Sequence, residues 1–478
     1  MSDPKTTFIE GCTLAFDDEH WQKINYSTGC FENSFAKGKE NYRNLDLEKQ
    51  RAYTLRNKSL LSLEKLLVDF ETHFTENGGK VLWARNADDA LTMIFDLIFK
   101  ERANAIMRSN STVLDEIELN GFLERKNIRI VETEVARFVL HKAQKKSYHP
   151  HAPSLHLSKE ENNAILTSAY KLKPDSSAKQ MVNFVRHEVG IESQDVPICI
   201  TGANFLLSDT GGVVLTENEG NILKSTSLAK VHIVVAGIAK VIPSIDDLSV
   251  LLPLVSLHSS GQSMSACNSI TFGPSTTGNG PEQMYVILLD NNRSELLAHE
   301  KQRKVMSCIH CGACISVCPI YKNIGGYSYG SKHIGPMGTV MTPLMESMED
   351  YNYLNSACSL CGKCVEICPV KIPLDDLIIE NRHLAMTEKT GNSRYDALLK
   401  AMIWHCKSRK KMDSPLFFKK LELKRLFSLL WGENRTLPEL PQSRSASNGK
   451  RGIFNFKLKY CKQKPRHKNL QRGKMQYL

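Results

Sequence analysis

The chain of 478 residues predicts an α/β domain with a mainly parallel sheet, followed by a mainly α-helical domain organised around two cysteine runs. Three observations carry this expectation. Short apolar segments alternate with longer amphipathic ones from about residue 70 to about residue 290, the pattern of strands joined by crossover helices. Two nearly identical cysteine runs follow, CIHCGACISVCP at 308–319 and CSLCGKCVEICP at 358–369. Beyond residue 400 the composition becomes strongly basic.

Taken in order, residues 45–74 read as one amphipathic helix, with Leu55, Leu60, Leu63, Leu66, Leu67 and Phe70 near helical spacing. Asn77-Gly78-Gly79 ends it, and Lys80-Val81-Leu82-Trp83-Ala84 is short and apolar like a buried strand. Helices over 88–102 and 115–125 alternate with strands over 105–107 and 128–131. Further strands are expected at 197–207, 213–216, 232–237 and 284–290, and further helices at 172–187 and 243–254. A helix over 296–305 leads into the first cysteine run, and a Met-rich helix over 339–348 lies between the runs. After Arg382 an amphipathic helix runs to about Trp431, before a Pro- and Ser-rich stretch and a basic end. The expected division is a helical segment over 1–69, the α/β domain over 70–295, the cysteine-bearing helical domain over 296–385, and a C-terminal helical segment and basic tail over 386–478.

Each run has the C-x-x-C-x-x-C-x-x-x-C-P spacing that holds a [4Fe–4S] cluster through thiolates. Soft thiolates suit iron–sulfur chemistry better than carboxylates do. Three cysteines at two-residue intervals wrap three corners of a cubane, and the fourth, before proline, ligates the other cluster in two-cluster ferredoxins. By that rule Cys308, Cys311, Cys314 and Cys368 hold the first of two [4Fe–4S] clusters, and Cys358, Cys361, Cys364 and Cys318 hold the second. Structural zinc also uses C-x-x-C hooks, but four tetrahedral ligands give no reason for the third cysteine and the Cys-Pro. Gly312 and Gly362 let backbone amides approach sulfur, where hydrogen bonds tune potential. The stretch between the runs is far longer than in a minimal bacterial ferredoxin, so the clusters are expected among helices.

Fourteen cysteines do not make a disulfide scaffold here. Those outside the runs (Cys12, Cys30, Cys199, Cys267, Cys406, Cys461) follow no framework, a usage that belongs to a reducing compartment. No leader pattern and no apolar stretch of roughly 18–20 residues stands out, so the cytoplasm is the expected location. The net charge of +11 is uneven: residues 401–478 hold 20 Lys/Arg against 4 Asp/Glu, and the rest 42 against 47. The basic tail, with Phe454, Phe456 and Tyr460 interleaved, admits a non-specific nucleic-acid contact, a solvated arm or docking on an acidic partner.

ITGANFLLSDTGGVVLTENEGN at 200–221 is punctuated by Gly202, Gly211, Gly212 and Gly220. Its amides could face an anion at two turns or simply make tight turns, and it matches neither G-x-G-x-x-G nor a P-loop. Glu217 and Glu219 follow a strand, where carboxylates can be catalytic, although a solvated loop face is the better account. His149, His151 and His156 in SYHPHAPSLH read as a polar surface loop rather than a metal site. No Ser-His-Asp or Cys-His arrangement can be assembled, so catalytic residues stay unassigned.

On ENGGKVLWARNADDA, DEIELNGFLE, ITGANFLLSDTGG, TENEGN, VHIVVAGIAKVIP, CIHCGACISVCPIYKNIGGYSYGSKHIGPMGTVMTPLM and CSLCGKCVEICPVKIPL, the chain resembles the lactate utilization protein B family over about residues 45–382. The resemblance implies an α/β LUD domain, sugar-isomerase/CoA-transferase-like in fold, followed by a mainly α-helical two-cluster ferredoxin domain. It implies an electron-transferring subunit of a complex that oxidises L-lactate to pyruvate. Its partners there would be a cysteine-rich oxidoreductase subunit and a second LUD-domain subunit. The eight run cysteines carry over. The chain departs from the family's Lys-Ser-Lys-Ser at Arg108-Ser109-Asn110-Ser111 and from its Asp-Leu-Gly-Glu at Glu134-Val135-Ala136-Arg137. It also has Ser208-Asp209-Thr210-Gly211-Gly212 where Ala-Glu-Thr-Gly-Thr is usual. No residue stands out for hydride abstraction or flavin binding, so that step is expected on a partner or at a subunit interface. The alternatives are an iron–sulfur subunit serving a glycerol 3-phosphate or heterodisulfide oxidoreductase, and nucleic-acid binding through the tail.

Overall fold

The computed structural model describes residues 3–387 together with 403, 404, 407 and 408. Except at those four positions, the expected C-terminal helix beyond 387 and the basic tail lie outside the described residues. The core is a six-stranded, wholly parallel sheet formed by β1 (Lys80–Ala84), β2 (Ala105–Arg108), β3 (Arg129–Glu132), β4 (Ile198–Thr201), β7 (Val231–Gly237) and β10 (Gln283–Leu289), in the order β1-β10-β7-β4-β2-β3. A second sheet joins β8 (Val241–Ile242), β5 (Phe205–Leu207), β6 (Gly212–Glu217) and β9 (Cys267–Thr271).

Every residue of β2, β4 and β7 is buried, which is why these segments read as unbroken apolar runs. On one face Ile106, Ile198, Ile233 and Ile287 pack with Leu114, Leu119 and Leu123 from helices Thr112–Glu116 and Leu119–Arg125. On the other, Val234, Val286 and Leu288 pack on Phe70 and Phe74 of helix Leu63–Glu76. Burying one such phenylalanine contributes roughly 1.5–3 kcal/mol. His232 sits inside β7, its Nε2 2.9 Å from Thr201 Oγ1, and burial pulls its pKa down to about 4.

Several elements depart from the expectations. The single helix over 45–74 is two, Leu45–Leu61 and Leu63–Glu76, broken at Ser62. The first buries Lys49, Ala52, Arg56 and Ser59, a mostly polar face that a search for apolar spacing passes over. Residues 197–207 form β4 and β5 in different sheets, because Asn204 turns the chain by accepting from Thr216 N through Oδ1 at 2.9 Å. The helix over 115–125 is split at Glu118, whose φ is +55°. Helices Lys159–Tyr170 and Ala178–Glu192 each start at a serine capping box, Ser158 with Glu161 and Ser177 with Gln180. Residues 243–254 begin as a short 3₁₀ turn, and the helix itself is Leu248–Ser260. In place of a helix over 296–305 there is Arg293–Ala298 followed by a 3₁₀ turn, Gln302–Ser307. The Met-rich helix spans Gly335–Met345.

The cysteine runs lie among helices, as expected. Ala313–Ser316 and Pro319–Ile324 carry the first, Lys363–Ile367 the second, with Gly335–Met345, Met348–Ala357 and Leu374–Thr387 packed around them. None of the helices described is long and apolar enough to cross a membrane.

Candidate iron–sulfur centre and the cavity beside it

The two runs adopt the same local backbone. In the first, His310 has φ +55° and Gly312 φ +74°; in the second, Leu360 has φ +53° and Gly362 φ +76°. This left-handed pair curls each loop so that amides point at sulfur. His310 N donates to Cys308 Sγ at 3.3 Å, and Leu360 N donates to Cys358 Sγ at 3.4 Å. Ile372 N donates to Cys368 Sγ at 3.4 Å. The glycines are used differently. A Cβ on Gly312 would lie 2.7 Å from the His151 ring, whereas one on Gly362 would meet only Asp375, at 3.9 Å.

Cys308, Cys311, Cys314 and Cys368 line one apolar cavity of about 50 Å³. Cys364 is raised to about 12 by burial first and then by the neighbouring charges of Cys318, Cys358 and Cys361. Burial likewise raises Cys368 to about 11, with Cys308 adding to it. Thiols this deep in apolar surroundings do not ionise on their own account, and iron is what would hold them as thiolates. Among the described residues no three His, Cys, Asp or Glu side chains converge on a single-ion site. The first four cysteines instead ring a space. Together with the amide donors, this cradle fits a thiolate-held cluster.

Buried cations surround the first loop. Arg56 is 1 % exposed and has no carboxylate partner among the described residues; its guanidinium donates to the carbonyls of Ala239 (2.6 Å), Ser307 (3.1 Å), Val241 (3.3 Å) and Met306 (3.3 Å). Burial lowers its pKa to about 10, and the charge of Cys308 opposes that. Lys49 Nζ donates to the carbonyls of Glu366 (3.0 Å) and Ile367 (3.1 Å), just ahead of Cys368. Burial pulls Lys240 down to about 7, with Cys308 again opposing and Arg56 and Arg293 adding to the effect.

The histidine segment is a surface loop only in part: His151 is exposed, as expected, but His149 is buried. Tyr148 and His149 are 1 % and 5 % exposed, and His151 Nε2 lies 2.6 Å from the carbonyl oxygen of His310. The segment is packed against the first cysteine loop, which overrides the surface signal of its two prolines. Burial lowers His149 to about 3 and His156 to about 4, so both rings stay neutral. Glu217 and Glu219 act on backbone. Glu217 accepts from Ile222 N (2.7 Å) and Leu223 N (2.8 Å), and Glu219 accepts from Val135 N (3.0 Å). Gly211, at φ +67°, presses on the backbone of Phe74, which accounts for it as a tight turn.

Sequence reasoning missed Lys49, Arg56 and Lys240. The signal for Lys240 was present: one lysine interrupts the apolar run VHIVVAGIAKVIP. A second cavity of about 50 Å³ opens beside it, between the carboxyl ends of the sheet strands and the first cysteine loop. Gly237 permits this arrangement, since a Cβ there would lie 2.6 Å from Arg293 Nε.

Comparison with known proteins agrees with this architecture. A LUD domain model matches residues 67–289, and a 4Fe-4S dicluster domain model matches residues 304–372. The chain is 35% identical over 343 residues to an uncharacterized electron transport protein, YkgF, of Escherichia coli, covering 71% of this chain and 72% of that one. It is 34% identical over 368 residues to lactate utilization protein B 1 of Bacillus mycoides (76% and 75%) and 35% identical over 357 residues to lactate utilization protein B of Bacillus subtilis (74% and 73%). Fold and cysteine loops define an iron–sulfur electron-transport protein with a LUD domain and two [4Fe–4S] clusters. The chain belongs to the lactate utilization protein B family.

Proposed function

We propose that the chain is the electron-transferring subunit of a cytoplasmic complex that oxidises L-lactate to pyruvate. Its partners in this reading are a cysteine-rich oxidoreductase subunit and a second LUD-domain subunit. The first cluster is assigned to Cys308, Cys311, Cys314 and Cys368, the second to Cys358, Cys361, Cys364 and Cys318. When bound, the clusters supply one-electron carriage. Around them the chain's own residues exclude water, donate amides to sulfur and fix the loops through Arg56 and Lys49.

One observation carries the reading: the first cysteine loop forms a wall of a small polar cavity at the carboxyl edge of the LUD sheet. At about 50 Å³ the cavity has room for roughly three to five waters at about 10–15 Å³ each, the scale of a small molecule. That suits a three-carbon hydroxy acid. At the far side, Ser359, Leu360, Cys361 and Lys363 are exposed, which supports docking of an electron-accepting partner on the second loop.

Two measurements test the proposal. Anaerobic purification should give about eight irons and eight sulfides per chain; zinc in their place would sink the cluster assignment. Deletion of the gene should abolish growth on L-lactate, and unimpaired growth would refute the lactate assignment.

A further inference from the structure

We propose that Lys240 is the counter-cation of the first cluster: from the turn after β7 it faces Cys308 and raises that cluster's reduction potential, leaving the second unchanged. The inference rests on the assignment of Cys308 as a cluster ligand and on nothing about the substrate.

Arg56 sets the pairing. Its guanidinium donates to Ala239 and Val241, the residues on either side of Lys240, and to Met306 and Ser307, the two residues ahead of Cys308. One side chain therefore ties the backbone that carries the lysine to the backbone that carries the thiol. Lys240 and Cys308 accordingly line the same cavity of about 50 Å³. The turn Ile238–Lys240 lies between β7, which pairs with β10 and β4, and β8, which pairs with β5, so its backbone is anchored at both ends. The fold thus places the half-buried ammonium without a hydrogen bond or carboxylate among the described residues to hold it.

The charges around Lys240 leave the thiolate as its counter-ion. Arg56 and Arg293 repel it, and Cys308 is the anion that acts on it most strongly. Glu116, the carboxylate lining the cavity, is engaged elsewhere: Arg293 donates to both its oxygens (2.9 and 2.7 Å) and Asn291 to one (2.7 Å). His333 Nε2 stands 3.2 Å from it. Seen from the sulfur, Lys240 and Arg56 are the two cations that oppose the effect of burial on the Cys308 thiol. An iron–sulfur cluster gains one negative charge with each electron it accepts. A cation beside it stabilises the reduced form, and partly buried charges are only weakly screened by salt.

The second run has no such lysine. Its loop repeats the backbone of the first, yet Ser359, Leu360 and Cys361 are exposed where the first loop meets the sheet edge. Arg382 approaches it, donating to the Cys358 carbonyl (2.7 Å). So does Asp375, whose carboxylate adds to burial and to the neighbouring cysteines in raising Cys364. An arginine and an aspartate thus act on the second loop, whereas Cys308 faces a lysine and an arginine. Contact with the α/β domain makes two near-copies electrically unequal.

The test is a redox titration of the full-length, anaerobically isolated protein with dithionite, read by paramagnetic resonance; Cys311→Ala identifies the signal of the first cluster. At the wild-type midpoint, Lys240→Met should lower the reduced-to-oxidised ratio of that cluster at least tenfold, a shift of about 59 mV for one electron. Iron content and the second midpoint should not change. Lys240→Arg, which keeps the charge, should keep the wild-type midpoint. Lys230→Met, an exposed lysine at the opposite end of β7, should alter neither cluster. A first midpoint unmoved in Lys240→Met, lowered equally in Lys240→Arg, or matched by an equal fall of the second overturns the inference. Should Lys240→Met lose the first cluster, its retention by Lys240→Arg supports the inference, and its loss from both overturns it. Zinc in place of iron would overturn this inference together with the cluster assignment. A deletion strain that grows normally on L-lactate would refute the lactate reading and leave a lowered midpoint standing.

Discussion

Lys49 and Arg56 lie two turns apart on one face of helix Leu45–Leu61, and each holds a different cysteine run by its backbone carbonyls. Lys49 takes the residues ahead of Cys368, and Arg56 takes those ahead of Cys308 together with the start of β8. By the two-cluster rule those cysteines share the first cluster. Removing either cation orphans buried carbonyls, at about 1–3 kcal/mol per unsatisfied group. Arg56→Met should therefore lower holo-protein stability by about 3–5 kcal/mol. Lys49→Met, with two carbonyl partners instead of four, should cost less. Denaturant midpoints with iron assays check the order, and equal midpoints would contradict it.

Cross-ligation predicts which cluster each cysteine serves. Cys318→Ala should damage the cluster organised by the second run, and Cys311→Ala that of the first. Paramagnetic resonance of the reduced variants separates the two, and the opposite pattern would overturn the assignment.

The two left-handed glycines should not be equally tolerant. Each Ala substitution incurs roughly 1–2 kcal/mol for φ near +75°. Gly312→Ala also drives a methyl into the His151 ring, whereas Gly362→Ala meets open space up to Asp375. Iron content after purification should fall further for Gly312→Ala than for Gly362→Ala.

His232 gives a pH dependence away from the cysteine loops. Burial lowers its folded-state pKa from 6.5 to about 4, so the unfolded chain takes up the proton first as pH falls. Its contribution is whole above about pH 6.5, shrinks between 6.5 and 4, and is constant below. At pH 5 the loss is about 2 kcal/mol. His232→Gln should flatten the drop in unfolding midpoint between pH 7 and pH 5 by that amount; an unchanged slope would show that another group governs it.

Leu360 is exposed on the second cysteine loop. Leu360→Glu should slow reduction of the electron acceptor by the assembled complex at least fivefold while leaving iron content unchanged. A rate equal to wild type would place partner docking elsewhere.

The parallel sheet was legible because strands buried on both faces leave unbroken apolar runs, as VHIVVAG does in β7. The cluster loops were legible because thiolate spacing is set by covalent reach rather than by context. What escaped the sequence was polar burial. Lys49, Arg56 and Ser59 occupy the most buried face of their helix, whereas Leu55 and Leu60, which apolar spacing picks out, pack beside it and are only partly buried. His149 went the same way: prolines and histidines signal surface, and only the fold reveals that the segment lies against the cysteine loop. Lys240 needed the cysteine loop laid against the carboxyl ends of the strands, a contact in space that no local pattern encodes.

The Arg56 clamp also bears on how the two domains are joined. Its guanidinium reaches Ala239 and Val241 on the sheet side and Met306 and Ser307 on the loop side, so a single side chain fastens the cysteine loop to the α/β domain. A change at that one position is therefore felt on both sides of the junction.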